Sequence, residues 1–287
     1  MGFDLQTTRF LLEAKRSAAD FSDTITLGRQ NLHINRDTYR AEAARFGVSP
    51  VGDAFSDFPF VEGLLRGLGA KSPRSLDASG YEGADHVVDL NEPLPAELVG
   101  KFSMVIDGGT LEHVFDFRQA AINVAKLLRI GGHVISVTPC NNFMGHGFYQ
   151  FSPELFYRVF SSENGFEVES MVLTEVNADG DWYEAMDPDV ARARVTLVNG
   201  SRTYLMMRAR KTGDVEMFAK TPQQSDYSVL WQDDHGGDES MEFLRSGRLQ
   251  AVAERYFPKR VRIALRRLKQ GVADHFASPN LKKIRSF

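Results

Sequence analysis

Residues 102–139 read FSMVIDGGTLEHVFDFRQAAINVAKLLRIGGHVISVTP, and the period of this stretch changes twice. Residues 102–106 form an apolar run, as expected of a strand buried on both faces. Asp107, Gly108 and Gly109 end the run in a turn. Over residues 120–128, Ala121, Val124, Ala125 and Leu128 recur at the spacing of one helix face. Gly131-Gly132 is predicted to stop that helix. Residues 133–137 return to a strand pattern, closed by Pro139. A strand, a crossover helix and a second strand in this order imply parallel pairing.

The same alternation extends in both directions. Upstream, TITL at 24–27 is a strand candidate ended by Gly28, and residues 75–78 and 86–89 are two more. Helices are expected at 5–21, 36–46 and 60–68, with a loop rich in Gly, Pro, Ser and Asp at 47–59. Downstream, Ser152-Pro153-Glu154 is a helix start, with a capping serine, proline in the first turn and an acid beside it. Strands follow at 166–176 and 202–209. The expected fold is α/β: a doubly wound, mostly parallel seven-stranded sheet with helices on both faces. It would occupy residues 23–212, with an insertion near 47–59. A helix at 1–22 precedes it, and a C-terminal extension at 213–287 follows. In such sheets ligands bind at the carboxyl ends of strands. That points to Gly28, Asp77, Asp89, Asp107 and the loop after Pro139.

Composition narrows the class. The chain has 287 residues, a net charge of −4 and one cysteine, Cys140. A disulfide scaffold and a multi-thiolate zinc site are excluded, and the lone thiol reads as a small buried filler. No 18-residue apolar run suggests a membrane span. Charges between Asp4 and Arg16 interrupt any secretory apolar region, and Gln6 departs from a myristoylation motif. These features predict a cytoplasmic protein. Residues 259–287 hold nine basic side chains and one acid, which leaves the body strongly acidic. Over 259–270 the basic residues interleave with Val261, Ile263, Leu265 and Leu268, predicting a basic amphipathic helix. It could dock on the body, form a homo-oligomer contact or touch an anionic membrane surface. The acidic body disfavours nucleic acid. His33, His86, His133 and His235 form no i, i+4 pair and no HExxH motif, so no metal site is expected.

The 102–139 block, with FSPELFYRVF at 151–160 and NGFEVES at 164–170, resembles the class I S-adenosylmethionine-dependent methyltransferases. The resemblance covers most of residues 22–212. It implies a Rossmann-like fold with S-adenosylmethionine as methyl donor. One departure is clear: of the family's glycine-rich first turn only Gly28 remains, followed by Arg29 and Gln30. That loss argues against NAD or FAD, whose pyrophosphate needs such a turn.

The resemblance implies a donor-binding set of Gly28, Arg29, Asp77, Ser79, Asp89, Leu90, Asp107 and Gly108. Asp77 has two acceptor oxygens for the ribose hydroxyls. Asp89, with Leu90 and Asn91, would serve the adenine. Asp107 would hold the donor ammonium, and Arg29 is a candidate for its carboxylate. Each acid also has a plainer reading as a turn or surface residue. Glu112-His113 matches the family's recurrent pair, with His113 as an orienting residue.

The segment NNFMGHGFYQF at 141–151 stands at the predicted ligand edge. His146, between two glycines, is the candidate general base. Tyr149, Asn142 and Gln150 are candidate acceptor contacts. The plainer reading is a polar loop stapling two helices. The function expected is O-methylation of a small-molecule, sugar or glycan-precursor acceptor, in polysaccharide or secondary-metabolite biosynthesis. The rival is a catalytically silent relative that serves as a binding or scaffold module.

Overall fold

Side-chain caps set the helix starts. Asp4 accepts from the Thr7 N–H at the head of α1 (Leu5–Arg16). β1 (Thr24–Leu27) follows, and Asn35 caps α2 (Arg36–Arg45) through the Thr38 N–H. After α3 (Glu62–Gly67), β2 (Arg74–Asp77), β3 (His86–Val87) and β4 (Phe102–Asp107), Asp116 caps α4 (Phe117–Leu127). β5 (Leu128–Asn141) leads to α5 (Pro153–Val159), where Ser152 accepts from the Leu155 N–H as the sequence predicts. Each such cap is worth about 1 kcal/mol. The remaining elements are β6 (Phe166–Glu175), β7 (Trp182–Ala185), α6 (Pro188–Ala191), β8 (Thr203–Lys211) and β9 (Leu281–Arg285). This computed structural model describes residues 2–49, 52–191, 194–225 and 280–287.

The strands form one sheet in the order β3-β2-β1-β4-β5-β8-β6-β7-β9. The pairs from β3 through β5 are parallel. β8 runs antiparallel to both β5 and β6, and β7 and β9 add two antiparallel strands beyond β6. The sheet is therefore nine-stranded and mixed, which corrects the expectation of seven mostly parallel strands. The extra strands are short and depend on distant partners. Trp182 of β7 is buried against Phe10, Phe46 and Phe287. β9 is held by Lys283 to Asp181 at 2.5 Å and by Arg285 to Glu13 at 2.9 Å.

Helices cover both faces, and alternate side chains of one strand feed separate cores. Val105 joins Ile25, Leu27, Val124 and Phe156 on one face. Met104 and Ile106 join Phe10, Leu11, Tyr39 and Leu64 on the other. The Gly131-Gly132 pair does not end a helix. α4 stops at Leu127, and the glycines lie within β5, where the pairing to β4 shifts register and Gly131 takes φ +83°. The last residues of the chain form a strand of the sheet, and the basic helix expected at 259–270 lies outside the described residues.

Candidate functional site

Asp77 and Asp107 end β2 and β4, and Gly28 and Asp89 lie just past β1 and β3, the four strands being neighbours in the sheet. One edge thus collects the acids that the sequence singles out, but their surroundings differ.

Gly28 takes φ +70°, and its N–H donates to the Leu76 carbonyl at 2.6 Å. A Cβ there would lie 3.7 Å from Asp77 Oδ2, so the turn and the acid face each other. Asp77 is half-buried and accepts one hydrogen bond, from the Ser79 N–H at 3.1 Å. Ser79 is exposed. Asp89 is exposed and accepts from the Asn91 backbone and side chain, bonds that hold its carboxyl below the usual range. Leu90 points into the core, and its carbonyl accepts from Asn123. Arg29 pairs with Glu62 at 2.8 Å, donates to the Glu82 carbonyl and lies over the Phe60 ring.

Asp107 is fully buried. Its Oδ1 accepts from the N–H groups of Gly109, Thr110 and Leu111, and Oδ2 accepts from the Ser136 hydroxyl at 2.7 Å. Burial raises its pKa against the pull of those bonds. The carboxylate thereby ties the turn after β4 to β5. The Thr110 hydroxyl donates to the Leu27 carbonyl at 2.8 Å and adds β1 to the junction. Gly108 is covered: a Cβ there would meet the Phe3 ring at 2.6 Å and Gln30 Oε1 at 3.2 Å. Gln30 also fronts Gly28 and donates to the Leu27 carbonyl at 2.5 Å.

The neighbouring part of the edge holds three titratable groups. Glu112 is fully buried in the turn Leu111–His113, and neither of its carboxyl oxygens has a hydrogen-bond partner. Burial, then the nearby Asp107, pushes its pKa up to about 8, so its carboxyl holds a proton near neutrality. His146 Nε2 lies 3.4 Å from Glu112 Oε1, and His113 Nε2 lies 3.8 Å from the same oxygen. The imidazoles meet edge to face at 4.9 Å. Burial lowers the pKa of both histidines.

Backbone contacts assemble this group. The Glu112 carbonyl accepts from the N–H groups of Phe148 at 2.7 Å and Tyr149 at 3.3 Å. Gly147, at φ +74°, lets the loop approach so closely: a Cβ there would lie 2.7 Å from that carbonyl oxygen. The other acceptor candidates hold the loop together. Gln150 accepts from the Phe143 N–H, and Asn142 donates to the carbonyls of Asn199 and Ser201. The Tyr149 hydroxyl donates to the Phe115 carbonyl at 2.6 Å. Phe115, Met144 and Phe148 are exposed, and the rings of Phe115 and Phe148 meet edge to face at 5.6 Å. Two surface hollows, of about 450 and 410 Å³, lie elsewhere, beside Ser152–Arg158 and beside Arg36–Tyr39.

Sequence reading marked His113 and His146 but not their joint approach to Glu112. Phe3, Thr110 and Ser136 carry no signal in the sequence, while Gln30 and Gly147 are marked there without the contacts they make. An acid between Leu111 and Val114 was the one local hint of a buried carboxyl. The other contacts come from residues far apart in the chain.

No protein-family model and no curated protein matches the sequence. Among solved structures the chain is similar to several methyltransferases and to a polyamine synthase. The N-methyltransferase NodS of Bradyrhizobium japonicum is 14% identical, with 72% of this chain and 96% of that one covered and a TM-score of 0.40. Geranyl diphosphate methyltransferase, solved with its methyl donor, is 16% identical over 72% and 85%, with a TM-score of 0.37. The branched-chain polyamine synthase of Thermus thermophilus is 15% identical over 74% and 58%, with a TM-score of 0.36.

Proposed function

We propose that this chain is an S-adenosylmethionine-dependent methyltransferase acting on an oxygen of a small-molecule or sugar acceptor. The observation that carries the reading is the juxtaposition at adjacent strand ends of Gly28 and Asp77, with Asp89 alongside. A half-buried carboxylate with one accepted hydrogen bond keeps acceptor capacity for two ribose hydroxyls. Asp89 would serve the adenine. The donor, when bound, supplies an electrophilic methyl group. The remaining work is alignment and removal of the acceptor proton. His146, beside Glu112 and partly exposed, is the candidate to take that proton. Exposed Phe115, Met144 and Phe148 would form an apolar rim for the acceptor.

Two expected donor contacts need another assignment. Asp107 spends its oxygens within the fold, and Arg29 is held by Glu62 and Glu82. The adenosine half of the donor suits Asp77 and Asp89. The methionine half would require Phe3 and Gln30 to yield around Gly28 and Gly108. That covering favours a second reading, in which the chain keeps the fold as a binding module without methyl transfer.

Calorimetric titration with S-adenosylmethionine and S-adenosylhomocysteine separates the two. The enzyme reading expects micromolar binding that Asp77→Ala weakens tenfold or more, about 1.4 kcal/mol. Absence of binding by the parent chain and by Phe3→Ala, which uncovers Gly108, overturns it in favour of the silent module.

A further inference from the structure

We propose that Glu112, His113 and His146 form a binding site for one divalent first-row transition-metal ion. Their donor atoms, one carboxylate oxygen and two imidazole nitrogens, all lie within 4.8 Å of one another. The Glu112–His146 separation is 3.4 Å and the Glu112–His113 separation 3.8 Å. An ion bound at about 2.0–2.2 Å by each ligand needs donor atoms roughly 3.0–3.5 Å apart. One pair already meets that spacing. The His113 side chain is 47% exposed, so its ring is free to close the remainder.

The independent observation is the state of Glu112. Its side chain has no exposed surface, both oxygens lack a hydrogen-bond partner, and Nε2 of His146 is likewise buried and unpartnered. Buried polar atoms are ordinarily satisfied. Here a carboxyl oxygen and a ring nitrogen, neither with a hydrogen-bond partner, face each other at 3.4 Å. An ion between them would satisfy both. The His113 and His146 side chains are partly exposed, whereas the carboxyl they approach is buried.

The donor set selects the class of ion. Two imidazoles and one carboxylate suit Zn²⁺, Fe²⁺, Co²⁺ or Mn²⁺, whereas Ca²⁺ and Mg²⁺ prefer all-oxygen shells. The sequence carries no sign of the site because its ligands come from two separate segments. Gly147 brings them together by letting the loop after β5 rest on the Glu112 carbonyl. The ligand and base roles of His146 exclude each other, since a bound ion would take the Nε2 lone pair. The proposal does not depend on methyl transfer, because the ion can be titrated without donor or acceptor.

The test is titration of the full chain with Zn²⁺ against a chromophoric chelator, and with Co²⁺ followed by its visible d–d bands. One equivalent of each ion is expected, with affinity at least tenfold weaker in Glu112→Gln and His146→Ala. His113→Ala alters an exposed ring and keeps the test sound if a buried variant fails to fold. It too should weaken binding tenfold or more. A parent chain that binds neither ion overturns the proposal. So does binding that persists undiminished in folded variants, which would place the ion elsewhere.

Discussion

Asp77 and Asp107 each end a parallel strand, with only β1 between those strands, yet they do opposite things. Asp107 is fully buried, and four donors consume its oxygens. Asp77 is half-buried and accepts one bond from the neighbouring turn. Residue type and position along the sheet edge are the same. The lone pairs left over differ. Ligand-binding capacity at a strand end is therefore set by what the fold has already spent, and the β4 acid has spent everything.

Asp107→Ala tests the contrast most severely. It leaves three backbone N–H groups and the Ser136 hydroxyl without their acceptor in a buried junction. The expected loss is about 3–5 kcal/mol of stability, read from denaturant unfolding. A loss under about 1 kcal/mol would break the distinction between the two acids, since surface changes cost that little. Gly147→Ala comes next. It forces a side chain into left-handed backbone and against the Glu112 carbonyl. About 1–2 kcal/mol should be lost, together with the hydrogen-exchange protection of the Phe148 amide. A stable variant with that protection intact would show that the loop does not rest on Glu112. Asp89→Ala should have the smallest effect. Its carboxylate is exposed and bonded only to Asn91, so the unfolding midpoint should match the parent's. A clear downward shift would move Asp89 to the structural side of the comparison.

The legible part of the fold was its local part. The strand at 24–27 has the predicted bounds, and the Ser152 cap forms as its neighbours foretell. Alternation of apolar and polar residues encodes such elements within a few positions. β7 and β9 were not legible. Each is four or five residues long, and β9 pairs across about a third of the chain. The Gly-Gly pair misled because glycine serves a helix end and a strand bulge equally well.

The site divides in the same way. The placement of Gly28, Asp77, Asp89 and Asp107 at strand ends is legible in the residue pattern, because parallel strands with crossover helices align their carboxyl ends. The sequence also marked Glu112, His113 and His146 as separate polar residues. Packing in three dimensions seals Asp107 with its own turn and lays Phe3 over Gly108. It alone set Glu112 without a partner 3.4 Å from His146. The physical reason is that burial and hydrogen-bond satisfaction belong to neighbours in space. For this edge those neighbours come from the chain's first residues, from β5 and from the loop that Gly147 folds back onto Glu112.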